Sequence, residues 1–288
     1  MVKICIVNDY VGPLSGEREN FWTWLVKELP ATPISFAQLT ISLEEAIKKE
    51  NPDIIINNAL WGFTFPGRFT ITILQDPYIG MQEALGVDLS EQIKKQKRAL
   101  EASQIKVAVS NYIAESYKDC GEFKVIPIGT DPELFKPMDK QAMRKKYGIP
   151  SDRMVMMYVG SHDSVKGWGE LVKEIDKKTT FWILVFKDFA ETDRENTRVF
   201  HRIEQEQLAE LYALSDFYVS KSVCESGGLA LVEALFCDIP VIYTKTGTVW
   251  DWDPDNSNPR KSAFEYGLDK NTCITRWKKL IEEIKIGV

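Results

Sequence analysis

The chain has 288 residues, 44% of them hydrophobic and 27% charged, which is an ordinary composition for a globular protein. Its 36 basic and 42 acidic residues give a formal net charge of −6, which argues against a general nucleic-acid-binding protein because such proteins are usually basic. The five cysteines are scattered and form no CxxC pair, so we expect buried, reduced thiols in a cytoplasmic protein. No apolar run approaches the ~20 residues that a membrane-spanning helix needs.

Short apolar runs alternate with helical patterns along the first part of the chain, which is typical of parallel α/β structure. The apolar runs are continuous, so we expect helices to cover both faces of the sheet. The predicted strands are 4–7, 54–56, 71–74, 107–109 and 125–127, and the predicted helices are 17–29, 43–50, 89–102 and 113–120.

A glycine and two prolines interrupt this pattern in Gly129-Thr130-Asp131-Pro132 and at Pro137, and they predict a linker. A second α/β series follows, and the length itself predicts about two domains. We place these domains at residues 1–136 and 137–288. The predicted strands of the second are 154–158, 181–186, 217–219 and 241–243, and its predicted helices are 140–147, one starting near 167, 206–214, 229–236 and 272–286.

The pattern most typical of a ligand site follows the predicted strand 217–219. The chain passes through Glu225 and the small residues Ser226, Gly227 and Gly228 into a predicted helix. A strand, a tight glycine turn and a helix start present free backbone N–H groups, which bind anions. This segment therefore predicts an anion site.

Glu233 lies on the helix that follows this turn, eight positions after Glu225. It comes two residues after the apolar Leu231, about 200° round the helix. We therefore expect its carboxylate to point away from the buried stripe and toward a ligand. Two carboxylates that bracket an anion site suit a ligand with both phosphates and hydroxyls, which favours a sugar nucleotide.

A second glycine-containing loop, GSHDSVKG over residues 160–167, directly follows the predicted strand 154–158. It lacks the GxxxxGK[ST] order of a Walker loop. Gly160 nevertheless lets the backbone approach a ligand, and Lys166 supplies a charge-assisted contact worth roughly 1.5–3 kcal/mol. For Lys166 alone, a solvated lysine is the simpler interpretation. Because loops after parallel strands leave the same edge of a sheet, we expect both glycine turns to form one diphosphate site.

Several segments accompany the two glutamates in a fixed order. The pair has the spacing E-x7-E, and Ala234 follows it. The accompanying segments are Val109-Ser110 with 124–137, Val159-Gly160 with Lys166-Gly167, Leu208 with Tyr212 and Ser215-Asp216, and 238–242. Over about residues 105–250, this set resembles the retaining glycosyltransferase family 4.

The resemblance implies an α/β protein of GT-B fold, with two Rossmann-like domains whose parallel sheets face a central cleft. It implies a metal-independent, retaining glycosyltransferase that needs no cofactor besides its donor substrate. The donor would be a nucleotide sugar of the UDP, GDP or ADP type. The acceptor would be a glycan, a lipid-linked sugar or a small molecule.

By the same resemblance, Lys166 would bind the donor diphosphate, Glu233 the ribose and Glu225 the transferred sugar. Lys166 and the amides of the glycine turn would stabilise charge on the leaving diphosphate. The departing phosphate oxygen could deprotonate the acceptor on the same face, or Glu225 could form a covalent intermediate. The other residues expected at the donor are Gly160, Ser161, Ser226, Gly227, Gly228 and Leu229 around the sugar and phosphates, and His201 and Arg202 near the base.

Two positions depart from the family pattern. Ser161 stands where the family commonly has an arginine, and Gln75-Asp76 stand where it often has a histidine. Asp76 could take over a polar catalytic role, whereas Gln75 cannot act as an acid or base. Gly12 lies in a GPLSG loop that suits a turn facing phosphate or acceptor. The departures leave open an inactive nucleotide-binding or scaffold protein, and another GT-B enzyme such as an epimerase or phosphorylase.

Two weaker patterns remain. Asp251-Trp252-Asp253 matches the DxD of metal-dependent glycosyltransferases, but the prolines and asparagines around it favour a polar loop. Only two histidines occur, which argues against a His-rich metal site.

A KKQKR run at 94–98 suits peripheral membrane contact, although a solvated helix face is the simpler interpretation. The oligomeric state stays open.

Overall fold

A computed structural model of the protein describes residues 2–9, 17–187, 193 and 195–287. The chain forms two compact units, one of Met1–Gly129 with Asn271–Val288 and the other of Thr130–Lys270. The strands of each unit pair in parallel with their neighbours in a single sheet. The predicted class, two Rossmann-like α/β units with parallel sheets, is therefore confirmed.

The described residues of the first unit form a six-stranded sheet in the order β2-β1-β3-β4-β5-β6. Its elements in chain order are β1 Ile4–Asn8, α1 Glu17–Glu28, β2 Thr32–Ser35, α2 Leu43–Glu50, β3 Ile54–Asn58, β4 Phe69–Leu74, α3 Tyr78–Leu85, α4 Ser90–Glu101, β5 Ile105–Ala108, α5 Asn111–Ser116 and β6 Lys124–Val125. Strands β1 and β3 are buried along their whole length, because helices cover both faces of the sheet.

The described residues of the second unit form a five-stranded sheet in the order β11-β10-β7-β8-β9. Its elements are α6 Lys140–Tyr147, β7 Val155–Val159, α7 Trp168–Ile175, β8 Phe181–Phe186, β9 Thr197–His201, α8 Gln205–Leu214, β10 Phe217–Ser220, α9 Leu229–Phe236, β11 Val241–Tyr243 and α10 Pro259–Tyr266. From β7 the chain adds β8 and β9 on one side of the sheet and then β10 and β11 on the other. The strand order therefore reverses between β7 and β10. Ligands of open α/β sheets bind at such a reversal, beyond the carboxyl ends of the strands.

The last helix, α11 (Lys270–Gly287), packs with the first unit. The Trp277 ring is fully buried and lies 6.5 Å from the Phe21 ring, centroid to centroid. Lys278 Nζ lies 2.8 Å from a carboxylate oxygen of Glu28. The helix was expected to dock on a core, and the core that it covers belongs to the first unit.

The contacts therefore place the boundaries of the two units differently from the prediction, which divided the chain after residue 136. Segment 130–136 belongs to the second unit, because Thr130 N–H donates to the Leu268 carbonyl at 3.0 Å. In addition, the Arg260 guanidinium donates to the Pro132 carbonyl at 2.9 Å. Segment 271–288, expected in the second domain, groups with the first unit instead.

Four elements have no counterpart in the sequence prediction: β2, β9, α3 and α10. Strand β2 reads TPIS and contains Pro33, which weakens a strand signal. Strand β9 lies at the sheet edge and is only partly buried, so its apolar pattern is weak. Helix α10 starts at Pro259 directly after a polar loop, and proline at the first helical position is easily taken for a loop residue.

Candidate functional site

The loops that follow β7 and β10 are joined to each other. The Val223 N–H donates to the Val165 carbonyl at 2.9 Å. Gly167 has a φ of +68°, and a Cβ there would lie 2.1 Å from the Lys221 carbonyl oxygen. Only glycine permits this approach. The prediction that both glycine turns share one rim of the sheet is therefore confirmed.

Side chains within the β7 loop hold its shape. The Asp163 carboxylate accepts hydrogen bonds from Ser161 Oγ at 2.6 Å and from Lys166 N at 2.9 Å. The Tyr158 hydroxyl donates to the Ser161 carbonyl at 2.5 Å. Burial raises the pKa of Tyr158, and the nearby carboxylates of Asp163 and Glu225 raise it further. Ser161, the departure from the family pattern, thus bonds within its own loop.

The two charged residues predicted to bind the donor meet directly. Lys166 Nζ lies 2.6 Å from Glu225 Oε1. Ser222 Oγ donates to the same carboxylate oxygen at 2.7 Å. The side chains of Lys166 and Glu225 are 32% and 16% exposed, so the pair lies at the surface of the rim and can be reached by a ligand.

A third loop, which follows β11, forms hydrogen bonds with the backbone of Glu225 and of the glycine turn. The Glu225 N–H donates to Thr246 Oγ1 at 2.9 Å, and Thr248 Oγ1 donates to the Gly227 carbonyl at 2.6 Å. Gly247 has a φ of +59°, and a Cβ there would lie 3.0 Å from Glu225 Cβ. No motif in the sequence marks these residues. Their position after a strand that neighbours β10 was the available signal.

Helix α9 begins directly after the glycine turn for which an anion site is predicted. Gly228 caps the helix with a φ of 65° in the left-handed region, and Leu229 is the first helical residue. The amides of the first turn have no intrahelical acceptors in any α-helix. Ser226 and Gly227 lead into this turn from Glu225, so the helix start adjoins the Lys166–Glu225 pair.

Glu233, expected to point away from the buried stripe of α9, is itself buried. The residue is 4% exposed, and every residue from Leu231 to Phe236 is buried. Helix α9 packs against α8 and α10 as well as the sheet, so it has no solvent face beyond its first turn. Glu233 Oε2 accepts a hydrogen bond from the Tyr212 hydroxyl at 3.1 Å. Its role toward a ribose stays a prediction.

His201 and Arg202 lie at the same edge of the sheet but farther along it. His201 ends β9, which is separated from β7 by β8, and two strand spacings amount to about 10 Å. The His201 ring stacks on Phe186 at 6.1 Å between centroids. Arg202 Nε donates to the Lys187 carbonyl at 3.1 Å.

Gln75 and Asp76, predicted to act near the transferred sugar, belong to the first unit. They follow β4 and are 1% and 4% exposed. Asn58 Nδ2 donates to Gln75 Oε1 at 3.3 Å, and Gln96 Nε2 donates to the Asp76 carbonyl at 3.0 Å. The Tyr117 hydroxyl in turn donates to Gln96 Oε1. Asn58 with Gln75 and Tyr117 with Gln96 thus form two buried side-chain hydrogen bonds. Gly12 lies outside the described residues.

The DxD pattern falls in a loop, as expected. The Asp253 carboxylate accepts hydrogen bonds from Lys245 Nζ and from the Tyr243 hydroxyl, each at 2.7 Å. These bonds hold the pKa of Asp253 below its usual value. Within the described residues, no group of three or more His, Cys, Asp or Glu side chains is clustered for a metal ion.

The basic run lies on α4 and contributes to a surface groove. Lys94, Lys97 and Arg98 line a depression of about 510 Å³ together with Gln82 of α3. Arg98 also donates two hydrogen bonds, at 2.9 and 2.6 Å, to the Gly62 carbonyl. No helix in the described ranges has the length and apolarity to cross a bilayer.

Comparison with known proteins shows which protein family this part of the chain matches. Residues 139–252 match the family model described as "Glycosyl transferases group 1". This part of the chain, which contains both rim loops, is a glycosyltransferase group 1 domain. Over 170 residues the chain is 26% identical to the N-acetyl-alpha-D-glucosaminyl L-malate synthase of Bacillus anthracis. That match covers 52% of this chain and 44% of the relative, and the chain spans less than half the length of the relatives that it matches by sequence.

Solved structures establish the fold. The sucrose-phosphate synthase of Thermosynechococcus elongatus matches with a TM-score of 0.84 at 16% identity, over 100% of both chains. The Anabaena protein HepE, in complex with UDP-glucose, matches with a TM-score of 0.76 at 15% identity, over 98% of this chain and 100% of that one. The fold is therefore GT-B, as predicted.

Proposed function

We propose that this protein is a retaining, metal-independent glycosyltransferase that uses a nucleotide-sugar donor. The observation that carries the proposal is the joined rim of the second unit. It places Lys166 and Glu225 beside the start of α9, at the strand-order reversal of the sheet. The glycosyltransferase group 1 domain covers this rim. HepE, which shares the fold, is described in complex with UDP-glucose, which supports a nucleotide sugar as the ligand class.

Each part of the donor has a matching group on the rim. Lys166 and the amides of Gly227, Gly228 and Leu229 suit the diphosphate, because a helix start and an ammonium both stabilise anions. Glu225 accepts hydrogen bonds and suits sugar hydroxyls. Glu233, one turn into α9, is the candidate for the ribose. The base would lie toward β9, near His201.

The proposed reaction exchanges one bond at the anomeric carbon for another on the same face. The bond to the diphosphate oxygen breaks as the bond to the acceptor oxygen forms. The acceptor proton passes to the departing phosphate oxygen, so no separate base is needed. Lys166 and the α9 amides stabilise the charge that grows on the leaving group. We prefer this route to a covalent intermediate, because Glu225 Oε1 accepts a hydrogen bond from Ser222 Oγ, which lowers its nucleophilicity.

The acceptor and its location are part of the proposal. All five cysteines are free and buried, which suits a reducing compartment and hence the cytoplasm. The groove beside α4 carries Lys94 and Lys97, so a lipid-linked acceptor at an anionic membrane surface is one option. A glycan or small-molecule acceptor is the other. Transfer assays with vesicle-borne and free acceptors separate the two.

The first test is thermal unfolding with UDP, GDP, ADP and their sugars. A ligand at ~100 times its dissociation constant adds about 2.7 kcal/mol, which is several degrees in Tm for a chain of this size. We expect a shift with one base. Lys166→Met should remove most of it, because the diphosphate loses its cation. Lys173→Met, on the exposed face of α7, is the matched control and should keep the shift.

The second test follows the product. Incubation with the bound nucleotide sugar should release nucleoside diphosphate in the presence of EDTA, and proton NMR should show a retained anomeric configuration. Tight nucleotide binding without transfer to any acceptor would favour an inactive binding protein. Turnover without an acceptor, or turnover that requires phosphate, would favour an epimerase or a phosphorylase. No shift with any nucleotide would overturn the proposal.

A further inference from the structure

The ammonium of Lys166 and the carboxylate of Glu225 are bonded to each other, although the donor needs both. Their 2.6 Å separation is at the short end for a charge-assisted hydrogen bond. A diphosphate that binds Lys166 therefore competes with a carboxylate that already lies at hydrogen-bond distance. The two groups cannot hold the ammonium equally well, because their negative charges repel each other at this range.

The contacts of Glu225 hold its carboxylate beside the Lys166 ammonium, where it competes with a bound phosphate. Ser222 Oγ binds the same oxygen at 2.7 Å, and Thr246 Oγ1 holds the Glu225 N–H at 2.9 Å. Gly247 packs so closely behind Glu225 that a Cβ there would lie 3.0 Å from Glu225 Cβ. The residue is thus fixed at its backbone and on one carboxylate oxygen. A phosphate that binds Lys166 is therefore repelled by the Glu225 carboxylate, whose position is fixed.

We propose that Glu225 is an internal competitor for the phosphates, so that the site binds an intact nucleotide sugar in preference to the nucleoside diphosphate product. The inference rests on the proposed function of this site. With the sugar attached, its hydroxyls donate to Glu225 and replace the ammonium that the diphosphate takes. After transfer these donors leave with the product sugar. Glu225 then pairs with Lys166 again and weakens the hold on the diphosphate, which speeds product release.

The test measures three dissociation constants by calorimetry at one low ionic strength. The ligands are inorganic pyrophosphate, the nucleoside diphosphate found in the thermal panel, and its nucleotide sugar. Glu225→Gln should bind the first two about tenfold more tightly than the wild type, because a competing charge at the ammonium is gone. It should bind the nucleotide sugar no more tightly. Equal or weaker binding of pyrophosphate and nucleoside diphosphate would overturn the inference.

Two variants separate direct competition from other effects. Glu170→Gln removes the same charge from an exposed pair with Lys173 on α7, and its three dissociation constants should equal those of the wild type. Glu225→Asp keeps the charge but is one methylene shorter, so it should give an intermediate tightening for pyrophosphate. If Glu225→Gln does not fold, Glu225→Asp carries the test, and unchanged pyrophosphate affinity in it overturns direct competition.

The outcomes also separate this inference from the function on which it rests. If the wild type binds a nucleotide sugar and neither Glu225 variant tightens toward the nucleoside diphosphate, the inference fails and the proposed function stands. If neither the wild type nor any variant binds a nucleotide or pyrophosphate, both fail together.

Discussion

Two ion-paired carboxylates, Glu225 and Asp216, lie at opposite edges of the sheet in the second unit. At the carboxyl edge, Lys166 pairs with Glu225, and these side chains are 32% and 16% exposed. At the amino edge, Asp216 binds Arg144 Nη2 at 2.7 Å and Lys140 Nζ at 2.8 Å. The Asp216 carboxylate also accepts the Val155 N–H at 2.8 Å, where β7 begins.

The difference lies in what else each cation binds. Arg144 is 4% exposed and also donates to the carbonyls of Leu214, Ser151 and Arg153 at 3.0–3.3 Å. Its guanidinium thus joins α6 to the segment 151–153 and to the end of α8. Within the described part of the chain, the hydrogen bond of the Lys166 ammonium goes to Glu225. The pairing at the amino edge therefore stabilises the fold, and the pair at the carboxyl edge leaves a cation that can be shared with a ligand.

The largest effect should come from Gly167→Ala. The new Cβ would lie 2.1 Å from the Lys221 carbonyl oxygen at a φ of +68°, so the joined rim must separate. We expect a loss of at least about 3 kcal/mol in the free energy of unfolding, from overpacking and an unfavourable φ. Urea unfolding measures it, and nucleotide binding should fall as well.

Gly169→Ala is the control for that change. Nothing lies within 4 Å of a Cβ at Gly169, and the residue is inside α7, where alanine stabilises a helix by up to about 1 kcal/mol over glycine. We expect equal or slightly higher stability. Wild-type stability in Gly167→Ala would show that the loops after β7 and β10 are not packed as described.

The next effect is that of Asp216→Asn, which breaks the pair at the amino edge. It leaves the buried Arg144 without its carboxylate, and we expect a loss of about 2–3 kcal/mol, below the full value for a buried pair because Asp216 is partly exposed. Nucleotide affinity should stay unchanged, since this pair is remote from the rim loops. A loss of nucleotide affinity at equal stability would contradict the structural role.

The pH dependence of the free energy of unfolding tests the structural role of Asp216. Burial would raise the pKa of Asp216, but the hydrogen bonds from Lys140, Val155 N–H and Arg144 outweigh it and hold the pKa below its ordinary value. The stabilisation is therefore present above the unfolded-state pKa and is lost as the pH falls from about 5 through the folded-state pKa. Chemical unfolding at several pH values should show a shallower decline in Asp216→Asn than in the wild type.

The smallest effect on stability should be that of Glu225→Gln. Lys166 stays solvated when its partner loses the charge, so we expect the free energy of unfolding to change by less than about 1 kcal/mol. The same urea experiment provides the value. A loss as large as that of Asp216→Asn would show that the Lys166–Glu225 pair is structural, and the contrast between the two edges would disappear.

Much of the second unit could be predicted because its signals are local. The strands 181–186 and 241–243 and the helices 140–147 and 229–236 were predicted with the bounds that the structure shows. Continuous apolar runs and glycine turns specify such elements directly. That the Lys166 and Glu225 loops share an edge followed from the parallel order of the strands. The burial of Glu233 did not follow, because the periodicity of one helix does not reveal how many neighbours cover it.

By itself, the sequence determined the α/β class, the two glycine turns and the residue types that suit a diphosphate and a sugar. These features depend on residues close together in the chain, where periodicity and backbone preferences act. Only the tertiary structure decided that α11 returns to the first unit, that Thr246 and Thr248 support Glu225, and that Lys166 bonds to Glu225 itself. Those contacts join residues far apart in sequence, and their geometry depends on how separate loops pack on a shared sheet edge.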